Sequence, residues 1–154
     1  MEQYIGTKVI HAEPATKGES WARKNKLDEV ETASIIAQMP NDGYHVIYSD
    51  GYESWSPKDV FEAAYRPVNA MTFGLAIEAM KQGKKVARAG WNGKTQHIEL
   101  ASNISYCSPD GCIVNCEHDA IGNQAIAFVG TSGVQMGWLA SQADMLAEDW
   151  FIVE

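Results

Sequence analysis

Val86-Ala87-Arg88-Ala89-Gly90-Trp91-Asn92-Gly93-Lys94-Thr95-Gln96-His97-Ile98-Glu99-Leu100-Ala101 is the stretch on which the fold turns. Residues 86–91 read as a strand and residues 95–101 as its return. Asn92-Gly93 between them is a turn signal, because both residues accept the positive φ of a tight two-residue hairpin. That register sets Arg88 opposite His97 with Glu99 diagonal to it, on the face away from Trp91, and so allows a structural ion pair.

Working outward, Thr72 is placed to cap a helix from Phe73 to about Gln82. Phe73, Ile77 and Met80 share one stripe, Gly83 ends the helix, and Lys84 and Lys85 follow at its negative end. Residues 103–123, rich in Ser, Gly, Asn, Asp and Cys, read as a long loop or a weak excursion from the sheet. Residues 125–129 and 134–138 form a further hairpin across Gly130-Thr131-Ser132-Gly133. Ser141-Gln142-Ala143-Asp144 has the pattern of a capping box with Asp in place of Glu, and residues 150–153 close as a strand. The expected module, residues 71–154, is α+β: an N-terminal helix, four or five antiparallel strands and a short helix, without the βαβ alternation of a parallel sheet.

A compositional break near Arg66-Pro67 separates a second small α+β module, residues 1–66. Residues 4–12 read as a strand closed by Glu13-Pro14, the polar stretch through Lys26 has no clear period, and residues 28–38 suit a short helix. Tyr44, Val46 and Tyr48 alternate along a strand, Asp50-Gly51 turns it, and residues 52–55 return. Ser56-Pro57-Lys58-Asp59 then reads as a helix start with Ser56 as cap, followed by Val60, Phe61, Ala64 and Tyr65 on the apolar side. Tyr and Trp are dense here, and suit a small core with wet polar tips or a recognition surface. Modules this small gain by docking or self-association.

Hydrophobic residues make up 45% of the 154 and charged residues 21%, a globular composition with no apolar run of membrane-spanning length. The start, Met1-Glu2-Gln3-Tyr4, lacks a signal-peptide pattern, and three cysteines fit a reducing compartment; both point to the cytoplasm. The net charge of −8 is shared equally between residues 1–70 and 71–154, so neither module carries a basic field for long nucleic acid. A small anionic ligand needs only two or three positive groups in a cleft.

Chemistry-bearing patterns are sparse. Gly93-Lys94-Thr95 imitates the end of a P-loop, but the motif's first glycine falls on Arg88 and a strand follows where a helix is needed. Cys107, Cys112, Cys116 and His118 are zinc-ligand types at irregular spacing, which favours free thiols over a metal site. No nucleophile motif is visible, and adjacent Glu148 and Asp149 point apart, so no catalytic residue is assigned. No cofactor is expected.

Met71-Thr72-Phe73-Gly74-Leu75-Ala76-Ile77-Glu78-Ala79-Met80-Lys81-Gln82-Gly83-Lys84-Lys85-Val86-Ala87-Arg88-Ala89-Gly90-Trp91-Asn92-Gly93, together with Trp138-Leu139-Ala140-Ser141-Gln142-Ala143-Asp144-Met145-Leu146-Ala147-Glu148-Asp149-Trp150, resembles the Thoeris anti-defence 2 family of bacteriophages over most of residues 71–154; residues 103–124 depart from it. The resemblance implies a homotetrameric, non-enzymatic sponge that sequesters the cyclic nucleotide signal glycocyclic ADP-ribose in an infected cell, some members also holding cyclic dinucleotides at separate sites. Residues 4–8 and 50–58 are similar to a short module at the front of various phage proteins.

With that resemblance, Arg88, Trp91 and Asn92 are expected to touch ligand: a guanidinium forks onto phosphate, an indole stacks on a purine and an amide pairs with an adenine edge. Trp138, Ser141 and Asp144 complete the candidate set. Trp91, Trp138 and Trp150 equally suit a core, Asn92-Gly93 a plain turn, and Ser141 with Asp144 a helix cap. An enzyme that degrades the signal and a protein-interaction adaptor are the alternative functions.

Overall fold

The structure is a computed structural model that describes residues 2–3, 6–91, 95–115 and 123–153. The chain divides into two compact units, Met1–Tyr65 and Arg66–Glu154, and both combine helices with antiparallel sheets in an α+β fold.

In the first unit, strands β1 (His11–Thr16), β2 (Asp42–Ile47) and β3 (Glu53–Pro57) form an antiparallel sheet in the order β1-β2-β3. Helices α1 (Lys17–Asn25) and α2 (Glu29–Gln38) lie between β1 and β2, and α3 (Lys58–Ala64) follows β3. The polar stretch without period is α1. Its start is dictated by a capping box in which the Thr16 hydroxyl accepts from the Glu19 amide (3.2 Å) and the Glu19 carboxylate accepts from the Thr16 amide (2.6 Å). Asp28 and Glu31 repeat the device at α2, as the sequence pattern predicts for residues 28–38.

Two expectations for this unit are corrected. Pro14 does not close the first strand but sits inside β1 opposite Tyr44, which is possible because β1 is an edge strand with one side free of ladder bonds. Ser56 does not cap α3. It lies in β3 opposite Tyr44, and α3 begins after Pro57 without a side-chain cap, because the ladder extends one residue further than the turn chemistry suggests.

The second unit holds α4 (Phe73–Lys81), capped by Thr72 and ended at Gly83 with φ 79°, which leads into β4 (Lys85–Arg88) and β5 (His97–Ser102). A two-stranded ribbon, β6 (Ser105–Cys107) and β7 (Ile113–Asn115), makes the excursion from the sheet. Then come β8 (Gln124–Gly130), β9 (Gly133–Met136), the single turn α5 (Gln142–Met145) and β10 (Trp150–Val153). The sheet order is β10-β4-β5-β8-β9, antiparallel throughout, so the last strand returns to pair beside the first of the unit.

The core of this unit contains Met71, Ala76, Ala79, Met80, Val86, Ile98 and Trp150. It overturns the expected register of the central hairpin: Val86 faces Ile98, one residue away from the pairing that a two-residue turn sets, so Arg88 does not face His97. The expected register would pair Val86 with Glu99. A one-residue slip exchanges the faces of a strand, and burying Ile98 beside Val86, both 0% exposed, decides which face wins. The turn expected at Asn92-Gly93 lies outside the described residues.

Candidate functional site

The edge of the sheet at β10-β4 assembles the polar half of the site. Trp150 pairs with Arg88 across the ladder, which brings the residue before it, Asp149, level with the guanidinium. Arg88 Nε donates to Asp149 Oδ1 (2.9 Å), Nη2 reaches Asp149 Oδ2 (3.5 Å), and Nη1 donates to Asp144 Oδ1 (2.9 Å). The other oxygen of Asp144 accepts from the Ser141 amide (2.9 Å) and hydroxyl (2.7 Å), and the Ser141 hydroxyl in turn accepts from the Asp144 amide (3.2 Å). The capping box read from the sequence is therefore present, and its acidic member also serves as a ligand for Arg88. The ion pair expected near Arg88 exists with partners different from those proposed.

The electrostatics follow from these contacts. Arg88 holds the Asp149 carboxyl below the ordinary aspartate range despite partial burial. Burial pushes the Asp144 carboxyl up, but the Ser141 hydroxyl and Arg88 together outweigh it and hold the group below its usual value. The two carboxylates raise Arg88 further above the ordinary arginine value, so it stays charged. Two of its five N–H bonds lie beyond these three contacts, and its side chain is 20% exposed.

The aromatic half adjoins it. The Trp91 amide donates to the Arg88 carbonyl (3.1 Å), turning the chain so that the Trp91 indole packs edge-to-face against Trp150 (centroids 5.4 Å apart), Phe128 (5.5 Å) and Trp138 (5.9 Å). Phe73 joins Trp138 and Trp150 from α4. Trp150 is fully buried and its Nε1 donates to the Asp144 carbonyl (3.0 Å), which ties the aromatic cluster to the polar one. Trp91 and Trp138 are only half-buried: each supports the core with one side and keeps part of its ring at the surface. Two exposed apolar side chains belong to the same stretch of chain, Leu139 (88% exposed) directly after Trp138 and Leu146 (79%) directly after α5.

Of the six sequence-derived candidates, Arg88, Ser141 and Asp144 form one hydrogen-bonded chain and Trp91 and Trp138 one aromatic cluster, while Asn92 lies outside the described residues. Asp149 was missed. Its adjacency to Glu148 suggested solvated surface, and the signal that would have found it, the pairing of β10 with β4, belongs to topology.

Cys107 and Cys112 are exposed free thiols, Cys116 and His118 lie outside the described residues, and no metal-binding group of three ligands occurs among the described ones. The first unit does contain a Ser20-His45-Glu53 chain, with Ser20 Oγ hydrogen-bonded to His45 Nδ1 (2.8 Å) and His45 Nε2 3.5 Å from a Glu53 oxygen. Ser20 and His45 are 4% and 3% exposed, so no substrate carbonyl can reach the hydroxyl, and the chain joins α1 to the sheet.

The second unit is thus a small α+β module with a five-stranded antiparallel sheet and a two-stranded ribbon, and a partly exposed indole pair adjoins a clamped guanidinium at the edge of the larger sheet. Residues 71–153 match the family of Thoeris anti-defense 2-like domains, and the chain belongs to that family. Thoeris anti-defense 2 of Bacillus phage SP01 is 41% identical over 86 residues, a span that takes in 94% of that protein and 54% of this chain. Membership places the chain among phage anti-defence proteins. The family match begins after the first unit ends.

Proposed function

We propose that the second unit captures a small cyclic nucleotide signal, glycocyclic ADP-ribose foremost and cyclic dinucleotides as a second class, and holds it without breaking a bond. The proposed setting is the cytoplasm of an infected bacterial cell. The observation that carries the reading is the partly exposed Trp91-Trp138 pair (centroids 5.9 Å apart) next to a charged Arg88, two of whose N–H bonds have no partner among the described residues. Exposed indole faces stack on a purine at about 1–3 kcal/mol per base, and the spare N–H bonds suit a phosphate oxygen. Asn92 is proposed to meet the base edge, while Ser141 and Asp144 act through Arg88 by fixing its orientation.

Two carboxylates beside one guanidinium leave this cluster with net negative charge, so affinity rests on stacking and directed hydrogen bonds more than on charge. A sponge needs a dissociation constant near about 1 nM, equivalent to about −12 kcal/mol, and two indoles supply only part of that. Closure by a second protomer over the exposed Leu139 and Leu146 would supply the remainder, which fits the homotetramer implied by the resemblance. Among the described residues no helix is long and apolar enough to cross a membrane.

Incubation of glycocyclic ADP-ribose with the protein, followed by heat denaturation and chromatography, tests the reading. The ligand is expected back intact and in stoichiometric amount. A cleaved product would instead establish an enzyme.

A further inference from the structure

Charge is unevenly distributed along the first unit's sequence: residues 1–27 hold five basic and three acidic side chains, whereas residues 28–65 hold one basic and eight acidic. Contacts order two of the basic side chains into a ladder. Lys24 Nζ lies over the Tyr52 ring (5.1 Å) and donates to the Glu53 carbonyl (3.2 Å), Tyr52 meets Tyr48 (centroids 5.8 Å apart), and Lys8 Nζ lies over Tyr48 (5.4 Å). Tyr52 is 59% exposed, and Trp21, one helical turn before Lys24 on α1, is 44% exposed.

The two acidic side chains nearest to Tyr52 in the sequence each have a partner of their own. Asp50 accepts from the Tyr52 amide (2.9 Å), and the Glu53 carboxylate faces His45, itself held by Ser20. Ring contacts thus fix the position of both ammonium groups, which lowers the entropy lost when a partner binds.

We propose that this face of the first unit is a docking surface for a short, extended acidic segment of a partner protein, independent of the nucleotide site. The three ladder separations put the two ammonium groups at most about 16 Å apart, the reach of about five extended residues, so acidic side chains near the two ends of such a segment meet Lys8 and Lys24. Between them the exposed Tyr52, with Trp21 one helical turn before Lys24, offers the amphipathic contact area that dominates protein interfaces.

The test uses the full chain and fluorescein-labelled hexapeptides read by anisotropy: glutamate alternating with phenylalanine, glutamate alternating with alanine, and lysine alternating with phenylalanine. The first is expected to bind, the second more weakly and the third not at all. Lys8→Glu combined with Lys24→Glu, and separately Tyr52→Ala, are each expected to weaken the first peptide at least about tenfold, whereas Trp91→Ala leaves it unchanged. Lys8, Lys24 and Tyr52 are exposed, so an unaltered melting curve accompanies the changes at these three positions. The proposal is overturned if the glutamate-phenylalanine peptide fails to bind by about 1 mM, if the Lys8→Glu/Lys24→Glu double variant and Tyr52→Ala both bind it as wild type does, or if oligothymidine is the probe that needs Lys8, Lys24 and Tyr52.

Discussion

Arg88 concentrates the residue-scale argument, because one guanidinium joins β4, α5 and the entry to β10 through Asp144 and Asp149. Arg88→Ala leaves two carboxylates side by side with no counter-charge. It is expected to lower unfolding free energy by about 2 kcal/mol in denaturant titrations, and to weaken nucleotide capture in calorimetry. Loss of capture with unchanged stability would mean that the clamp carries no structural weight. The acid limb of stability follows from the same residues. Asp149 and Asp144 have depressed values in the folded chain, so the stability they contribute is present above the ordinary aspartate range and is lost as pH falls through their lower folded values. Asp149→Asn is expected to flatten the fall in melting temperature below about pH 4, an effect moderated by solvent because that side chain is 37% exposed. Legibility differs sharply among these residues. Ser141-x-x-Asp144 declared itself as a cap at its own spacing, whereas the partnership of Arg88 with Asp149 spans 61 positions and no local pattern encodes it.

At the scale of elements, capping boxes and turn glycines were readable because a helix start and a tight turn are short-range problems solved within four residues. Thr72 before α4, Gly83 after it and Ser141 before α5 all behave as their spacing predicts. The start of α1 escaped because Thr16-x-x-Glu19 sits in a polar stretch with little apolar period to draw attention to it. Close approach is where elements constrain one another. A Cβ on Gly43 would lie 2.2 Å from the Ser56 carbonyl oxygen and 2.6 Å from the Trp55 ring, whose Nε1 donates to Ala15 across the sheet. Gly43→Ala therefore cannot be accommodated without parting β2 from β3, and a loss of at least about 3 kcal/mol is expected in urea unfolding, against about 1 kcal/mol for Thr16→Ala, which removes only a cap. Equal effects of the two substitutions would contradict the packing described for the sheet.

For the molecule as a whole, the proposed function makes the exposed apolar side chains of the second unit a link between site and assembly. Leu139→Glu with Leu146→Glu is expected to shift the chain to monomer in light scattering and to weaken ligand capture together, because the same surface both closes the pocket and joins protomers in the proposed function. A monomeric wild type would remove that coupling. Ligand at a hundred times its dissociation constant should raise the unfolding free energy by about 2.7 kcal/mol, read as a rise in melting temperature of the transition that contains the second unit.

By itself the sequence determined the α+β class, most of the helix starts and the hairpins of both units, because each depends on side-chain periodicity or on the conformational tolerance of a few adjacent residues. It also carried the likeness of residues 71–154 to an anti-defence family, to which the chain belongs. Only the tertiary structure decided the register of β4 on β5, the return of β10 to pair with β4, and hence which carboxylates clamp Arg88. Those choices rest on which faces bury apolar area together, and that quantity exists only when segments distant in the chain have met.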